Sequence, residues 1–166
     1  MDPARLYNRS LALLNGQKIP KDEKRSFDTN AQAASMGFRD AVLAMGWYYL
    51  NGVGVAKDVD EAKRWYRKSA RQKEPRAMFS LGQIAYDERE FEEALGWFRS
   101  AKELGHARST YWIAKLYWRG QGVPEDRRAA EALIQEAAGQ KDPEARRVLR
   151  FLSWSRRRPD EPTILR

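Results

Sequence analysis

One sequence pattern occurs twice in this chain at identical spacing, and it constrains the fold more than any other feature. The first copy reads Met45-Gly46-x-x-Tyr49-x-x-Gly52-x-Gly54-Val55-x-x-Asp58-x-x-x-Ala62-x-x-Trp65-Tyr66-x-x-Ser69-Ala70. The second copy reads Ile113-Ala114-x-x-Tyr117-x-x-Gly120-x-Gly122-Val123-x-x-Asp126-x-x-x-Ala130-x-x-Leu133-Ile134-x-x-Ala137-Ala138. Long copies of one pattern are typical of a repeat protein, in which each repeat packs against its neighbours.

Two further copies depart from this pattern. The copy between the clear ones reads Leu81-Gly82, then Ala94-x-x-Trp97-Phe98-x-x-Ala101, then Gly105, and lacks four residues at the turn. A degenerate N-terminal copy keeps the turn at Asn15-Gly16, the aspartate at Asp22 and the small pair at Ala33-Ala34. We therefore predict a single solenoid over residues 1–155, with repeats near 5–40, 41–76, 77–108 and 109–142, a capping helix at 143–155 and a basic flexible tail at 156–166.

The spacing within each repeat predicts two helices joined by a turn. Alanine and large apolar residues recur three and four positions apart, as at Ala62 and Tyr66, which is the apolar stripe of a helix. Gly52 and Gly54 can end the first helix and adopt positive φ in the turn, while Asp58 is placed to cap the second helix. A small residue recurs in the first helix, where we expect two helices to approach closely: Gly46, Gly82 and Ala114.

This pattern resembles that of the Sel1-like repeat family. The family motif of Leu-Gly, Tyr, Gly-x-Gly-Val, Asp, Ala, Trp-Tyr, Ala-Ala and Gly is matched by residues 45–73 and, less fully, by 81–105 and 113–141. Lys73 and Lys141 stand where the motif closes with Gly. The resemblance implies an all-α fold, an α/α solenoid of antiparallel helix pairs stacked into a right-handed, tetratricopeptide-like superhelix. It also implies a protein–protein interaction scaffold, an adaptor, regulator or assembly factor, and many such proteins are bacterial.

The first helix of each repeat is expected to line the concave face of such a solenoid, where a peptide or protein partner would bind. The predicted wall consists of Tyr7, Leu11, Leu14, Leu43, Trp47, Leu50, Phe79, Gln83, Tyr86, Tyr111, Lys115, Trp118, Arg147, Phe151 and Trp154. The motif places aromatic residues elsewhere, and we interpret those as core: Tyr49, Trp65, Tyr66, Trp97, Phe98 and Tyr117. Aromatic and arginine side chains are typical binding anchors, so we predict a partner-binding groove. The alternative is that the tail or the terminal helix covers these rings.

The net charge of +8 is densest at the C-terminal end, because seven arginines and only three acidic residues lie between residues 143 and 166. We predict a basic rim beside the groove, formed by Arg146, Arg150, Arg156, Arg157 and Arg158. The alternative function is therefore a basic, nucleic-acid-binding helical repeat protein, in which arginine and aromatic side chains stack on bases.

The residues that most enzymes and metal sites need are scarce. The chain has no cysteine and one histidine, His106, whereas a zinc site needs several such ligands. The acidic pairs Glu92-Glu93 and Asp22-Glu23 lie at predicted helix starts, where they suit the helix dipole. No hydrolase, metalloprotease or nucleotide-binding motif occurs. We predict no enzyme activity, no metal, no cofactor and no small-molecule substrate.

The first residues, Met1 to Tyr7, lack the cationic and apolar segments of a signal peptide, and no run of about 18 apolar residues is present to span a membrane. We expect a cytoplasmic protein without a membrane span, present as a monomer or weak homodimer. Its partner is expected to be a protein or peptide, and the role of a chaperone or immunity-type partner of a bacterial effector or secretion system fits that expectation.

Overall fold

The computed structural model describes residues 2–155. Within that range the chain forms nine helices and no strand, which confirms the predicted all-α class. The helices are α1 (Pro3–Asn15), α2 (Glu23–Ser35), α3 (Arg39–Asn51), α4 (Val59–Arg71), α5 (Pro75–Asp87), α6 (Phe91–Glu103), α7 (Ala107–Arg119), α8 (Arg127–Gly139) and α9 (Pro143–Ser155). None of the helices in the described range is long and apolar enough to cross a membrane.

Aspartate caps begin the second helix of three repeats. Asp22, Asp58 and Asp126 each accept a hydrogen bond from the backbone amide three residues later, at 2.9 Å. A cap of this kind stabilises a helix by about 1 kcal/mol because it satisfies an amide that has no partner within the helix. The sequence prediction of these caps is confirmed.

Glycines end α3 and α7 and form the turns that follow. Gly52 and Gly120 cap these helices at φ values of 67° and 61°, and Gly54 and Gly122 also have positive φ, at 67° and 69°. Gly54 further lies so close to the backbone of Glu23 at the start of α2 that no side chain fits there. The turn therefore needs glycine both for its backbone conformation and for the contact it makes.

The chain divides into two compact units, Met1–Leu81 and Gly82–Arg166, here called unit 1 and unit 2. A core cluster of unit 1 consists of Leu6, Ala33, Ala34, Ala41, Val42 and Met45. A core cluster of unit 2 consists of Ala114, Ile134, Ala137, Ala138, Ala145 and Leu152. The abundance of alanine in both clusters allows the helices of each unit to pack closely.

Within each unit, a glycine of one helix lies close against an aromatic ring of another helix. A Cβ atom added to Gly46 would lie 2.6 Å from the ring of Tyr66 in unit 1, and one added to Gly82 would lie 2.5 Å from the ring of Phe98 in unit 2. The expected close approach of helices at these two glycines is therefore confirmed. At the third such position, Ala114 shares a core cluster with Ile134. Alanine is slightly larger than the glycine of the other two repeats, and isoleucine is smaller than the aromatic ring that the glycine contacts there.

The aromatic residues assigned to the core differ in burial. Tyr66 and Phe98 are buried as predicted, whereas the other four are only half-buried: Tyr49, Trp65, Trp97 and Tyr117. Tyr48, which the repeat pattern does not identify, is 1% exposed. The predicted repeat boundaries and the single solenoid stay predictions, and the predicted tail at 156–166 lies outside the described residues.

Candidate functional site

A surface pocket in unit 1 gathers side chains from α1, α3, α4 and the first half of α5. Its lining, here called the unit 1 pocket, is Tyr7, Leu11, Leu14, Asp40, Leu43, Ala44, Trp47, Tyr48, Tyr66, Arg76 and Ser80, around a cavity of about 280 Å³. Five of these residues belong to the wall predicted from the sequence: Tyr7, Leu11, Leu14, Leu43 and Trp47. The structure thus brings together residues of two predicted repeats at one pocket.

Trp47 is the most exposed ring of the unit 1 pocket. Its side chain is 40% exposed, and its ring lies edge-on to that of Tyr48, with the centroids 5.4 Å apart. Tyr48 itself is held in the interior, where its hydroxyl and that of Ser26 share a hydrogen bond. The exposed ring of Trp47 therefore contacts a neighbour, Tyr48, that is buried and held by a hydrogen bond.

The charges at the unit 1 pocket neutralise one another. Arg76 forms ion pairs with Asp40 at 2.9 Å and with Glu74 at 2.8 Å. The hydrogen bond from Arg76 lowers the pKa of the Glu74 carboxyl. Burial, and then the charge of Asp40, raises the pKa of the Tyr7 phenol. The unit 1 pocket therefore presents an apolar surface beside a paired cation.

Unit 2 contains a second pocket, built on α7 with contributions from α8 and α9. Its lining, here called the unit 2 pocket, is Tyr111, Ala114, Lys115, Trp118, Arg119, Ile134 and Val148, around a cavity of about 120 Å³. Three of these residues belong to the predicted wall: Tyr111, Lys115 and Trp118. Tyr111, Trp118 and Val148 also pack against the core cluster of unit 2, so the apolar walls are firmly held.

Aromatic rings position the cations beside the unit 2 pocket. The Nζ of Lys115 lies 3.7 Å from the centroid of the Trp112 ring and 5.2 Å from that of Tyr86. The Nη1 of Arg119 donates a hydrogen bond to the Tyr86 hydroxyl at 3.0 Å. Burial, followed by the positive charge of Arg119, lowers the pKa of Lys115.

Sequence reasoning missed several residues that line or adjoin the two pockets. Arg76 and Arg119 were not identified, and Trp112 was left out although it carries the ring on which Lys115 rests. The repeat register could have found Trp112, since the equivalent positions in earlier repeats are Ala44 and Ser80, which both line the unit 1 pocket. No comparable signal marks Arg119.

The other predicted wall residues lie apart from the two pockets. Leu50, Phe79 and Gln83 are half-buried on α3 and α5, and none of them lines either pocket. On α9, Arg147 is exposed and pairs with Glu144 at 2.6 Å. The rings of Phe151 and Trp154 lie 6.0 Å apart, and neither lines the unit 2 pocket, which α9 reaches through Val148.

The predicted basic rim is divided. Arg146 and Arg150 lie at a separate depression that they share with Lys141 and Leu149, and the Nε of Arg146 donates a hydrogen bond to the carbonyl of Ala138 at 3.2 Å. The structure does not bring these two arginines to the unit 2 pocket. The remaining rim residues, Arg156, Arg157 and Arg158, lie outside the described residues.

No group of three or more His, Asp or Glu side chains within residues 2–155 is arranged to hold a metal ion. A ring nitrogen of His106 and the hydroxyl of Ser109 share a hydrogen bond of 2.9 Å at the start of α7. His106 therefore has a structural contact at this helix end.

Comparison with known proteins shows where this architecture recurs. The family model for the Sel1 repeat matches residues 6–28, 39–74, 75–106 and 107–142, which together are more than half of the chain. The crystal structure of a Sel1 repeat protein from Oxalobacter formigenes is 29% identical with a TM-score of 0.83, over 89% of this chain and 62% of that one. The crystal structure of c5321, a protective antigen of uropathogenic Escherichia coli strains, is 28% identical with a TM-score of 0.82, over 93% of this chain and 34% of that one.

A curated relative shares a shorter segment. The sel1-like repeat-containing protein L21 of Acanthamoeba polyphaga mimivirus is 29% identical over 73 residues, which are 44% of this chain and 14% of the viral protein. This chain therefore spans less than two thirds of each of these three proteins. The four matched repeats and the shared helical fold establish that the chain belongs to the Sel1 repeat family.

Proposed function

We propose that this chain is an adaptor or regulatory partner that binds a peptide or protein at the unit 1 and unit 2 pockets. Sel1 repeat proteins generally mediate protein–protein interaction, and their fold is a non-catalytic scaffold. The proposal accordingly assigns no reaction to the chain. A chaperone or immunity-type role toward a bacterial effector or secretion system is one form that such a partner could take.

The exposure of Trp47 at a cavity carries the proposal. Trp47 is 40% exposed beside a cavity of about 280 Å³ whose other walls are largely leucine and tyrosine side chains. Covering a large, solvent-exposed apolar ring and the apolar pocket beside it with a partner is favourable, because apolar surface is removed from water. Tryptophan and tyrosine are also the residues that contribute most often to the energetic centres of protein interfaces.

The test is affinity capture from the cells that naturally produce the chain. The whole chain, Trp47→Ala and Trp118→Ala are used as bait, and bound proteins are quantified by mass spectrometry. We expect a specific protein that the unaltered chain retains and that each variant loses, since removal of an anchoring ring costs a protein interface more than 1 kcal/mol.

Leu104→Ala is the matched control, because Leu104 is 41% exposed and lines neither pocket. Trp118 also packs against the core of unit 2, so thermal unfolding of each variant accompanies the capture, and Trp47→Ala decides the result if Trp118→Ala fails to fold. Equal retention of every protein by Trp47→Ala and by Leu104→Ala would contradict the proposal.

The same preparation tests two finer points of the proposal, a cytoplasmic location and a monomeric or weakly dimeric state. Cell fractionation measures the first and light scattering at several concentrations measures the second. Nucleic acid is the competing ligand, and its binding would fall steeply as salt is raised because counterions are released from the phosphates. Loss of all captured material with rising salt, and recovery of nucleic acid in its place, would favour that ligand.

A further inference from the structure

The unit 2 pocket combines an apolar cavity with two cations at one place. Ala114, Ile134 and Val148 provide apolar lining, and Lys115 and Arg119 line the same cavity. The cavity measures about 120 Å³, and an apolar cavity of about 150 Å³ is enough to take up a benzene ring. The space therefore suits one apolar side chain with a charged group beside it.

Neither cation has an acidic partner in the described part of the chain. The contacts of Lys115 are with the rings of Trp112 and Tyr86, and that of Arg119 is with the neutral hydroxyl of Tyr86. Asp87 acts on Lys115 only through its charge at longer range. Burial and then the positive charge of Arg119 lower the pKa of Lys115, because the two cations also repel each other.

The cation at the unit 1 pocket, by contrast, has acidic partners. Arg76 lines the unit 1 pocket and is paired with both Asp40 and Glu74. Charged side chains near a protein surface are ordinarily paired or free in water, and a half-buried, unpaired Lys115 beside a second cation, the exposed Arg119, is an unfavourable arrangement. An anionic group from a ligand would relieve it, and it would form charge-assisted hydrogen bonds of the stronger kind.

We propose that the unit 2 pocket binds an acidic segment of a protein partner, taking up one apolar side chain while Lys115 and Arg119 hold an adjacent carboxylate. This inference rests on the proposed function and gives it a ligand chemistry for one of the two pockets. The unit 1 pocket, with its neutralised arginine, receives an uncharged apolar part of the partner.

The state of the aromatic rings favours a protein over a nucleic acid here. Single-stranded nucleic acid binds to rings whose faces are open for successive bases to stack on, along a groove of positive charge that follows the backbone. Tyr111 and Trp118 are packed against the unit 2 core, and Lys115 covers the ring of Trp112. Tyr111 and Trp118 line the unit 2 pocket, and the three rings do not present a row of open stacking faces.

The experiment is selection from a display library of random peptides on the whole chain. We expect the selected peptides to carry Asp or Glu next to an apolar residue. Synthetic copies of them should bind about tenfold more weakly to Lys115→Met and to Arg119→Gln, because each change removes one charge-assisted hydrogen bond to the carboxylate. An analogue peptide with the acidic residues replaced by their amides should lose affinity to a similar extent.

Arg108→Gln is the matched control, since Arg108 lies exposed on the same helix, lines neither pocket, and its loss changes the net charge by the same amount. Circular dichroism shows that each variant is folded. Unchanged affinity for Arg108→Gln together with weakened affinity for the two pocket variants supports the inference.

Three results would overturn it: selection of no peptide, selection of peptides without acidic residues, or equal losses in Arg108→Gln and the pocket variants. Displacement of the selected peptides by a single-stranded oligonucleotide of mixed sequence would also overturn it, in favour of nucleic acid. None of these results would remove the proposed function if capture of a native partner still depends on Trp47, so the two failures are distinguishable.

Discussion

At the scale of single residues, the exposure of a side chain depends on the face of the helix that carries it. Trp47 and Tyr48 are adjacent in the sequence, yet Trp47 is 40% exposed and Tyr48 is 1% exposed. The repeat register predicts that Trp47 lies on the concave wall and not in the core, and its side chain is exposed at the unit 1 pocket. Tyr48 was not assigned to the core, although the equivalent positions of the next two repeats, Ile84 and Leu116, are also apolar and buried.

Glycines within the helices provide a prediction at this scale. Gly82 and Gly96 both lie in helices of unit 2, but a Cβ at Gly82 would lie 2.5 Å from the Phe98 ring whereas one at Gly96 meets nothing within 4 Å. We expect Gly82→Ala to lower the free energy of unfolding by about 1–3 kcal/mol through overpacking, and Gly96→Ala to raise it by about 0.5–1 kcal/mol through helix propensity. Urea denaturation measures both, and stabilisation by Gly82→Ala would show that the helices are not in close contact there.

At the scale of helices and turns, most of the fold could be predicted from the sequence. The positions of the turns follow from glycine at positive φ, and the starts of α4 and α8 follow from Asp58 and Asp126, because both signals act locally. Lys73 and Lys141, which replace the motif's closing glycine, take positive φ values of 57° and 69° all the same. The repeat context therefore imposes the turn on residues that do not favour it.

Glu74, directly before α5, leads to a prediction of how the free energy of unfolding depends on pH. The pKa of Glu74 is lowered in the fold, chiefly by its hydrogen bond from Arg76. A carboxyl with a lowered folded-state pKa contributes stability above its unfolded value, about 4.3 for Glu, and loses that contribution as the pH falls through the folded-state pKa. We therefore expect Glu74→Gln to make unfolding less dependent on pH below about 4.5 than in the unaltered chain.

Thermal unfolding across a series of acid buffers tests this expectation. Glu92→Gln is the control, because Glu92 is an exposed carboxyl in the first turn of α6 and forms no ion pair within residues 2–155 that neutralisation would remove. Identical pH profiles for Glu74→Gln and the unaltered chain would contradict the role given to the Arg76 contact.

At the scale of the whole molecule, the two units carry pockets of different chemistry. Several residues of the predicted wall line one of the two pockets, such as Leu43 and Trp47 in unit 1 and Tyr111, Lys115 and Trp118 in unit 2. The pairing of charges could not be predicted in the same way. Whether a cation is neutralised depends on which carboxylates lie beside it in space, as Asp40 and Glu74 do at Arg76 and as none does at Arg119 among the described residues.

The partner is likewise beyond what a repeat pattern can specify. Repeat positions that build the helices recur, and so they are visible in one sequence. The residues that line the pockets differ from repeat to repeat, as Trp47 and Lys115 do at one register position, so the repeat pattern carries no information about them. The relatives therefore establish the family and the fold, and binding experiments identify the ligand.

Site-specific crosslinking tests most directly whether a protein partner lies against the pockets. A photoreactive phenylalanine analogue is placed at position 47 in one preparation and at position 104 in another, two positions of nearly equal exposure, 40% and 41%. After irradiation in the native cells, we expect a protein crosslinked at position 47 and absent at position 104. Crosslinking of the same molecules at both positions, or of nucleic acid at position 47, would contradict the account.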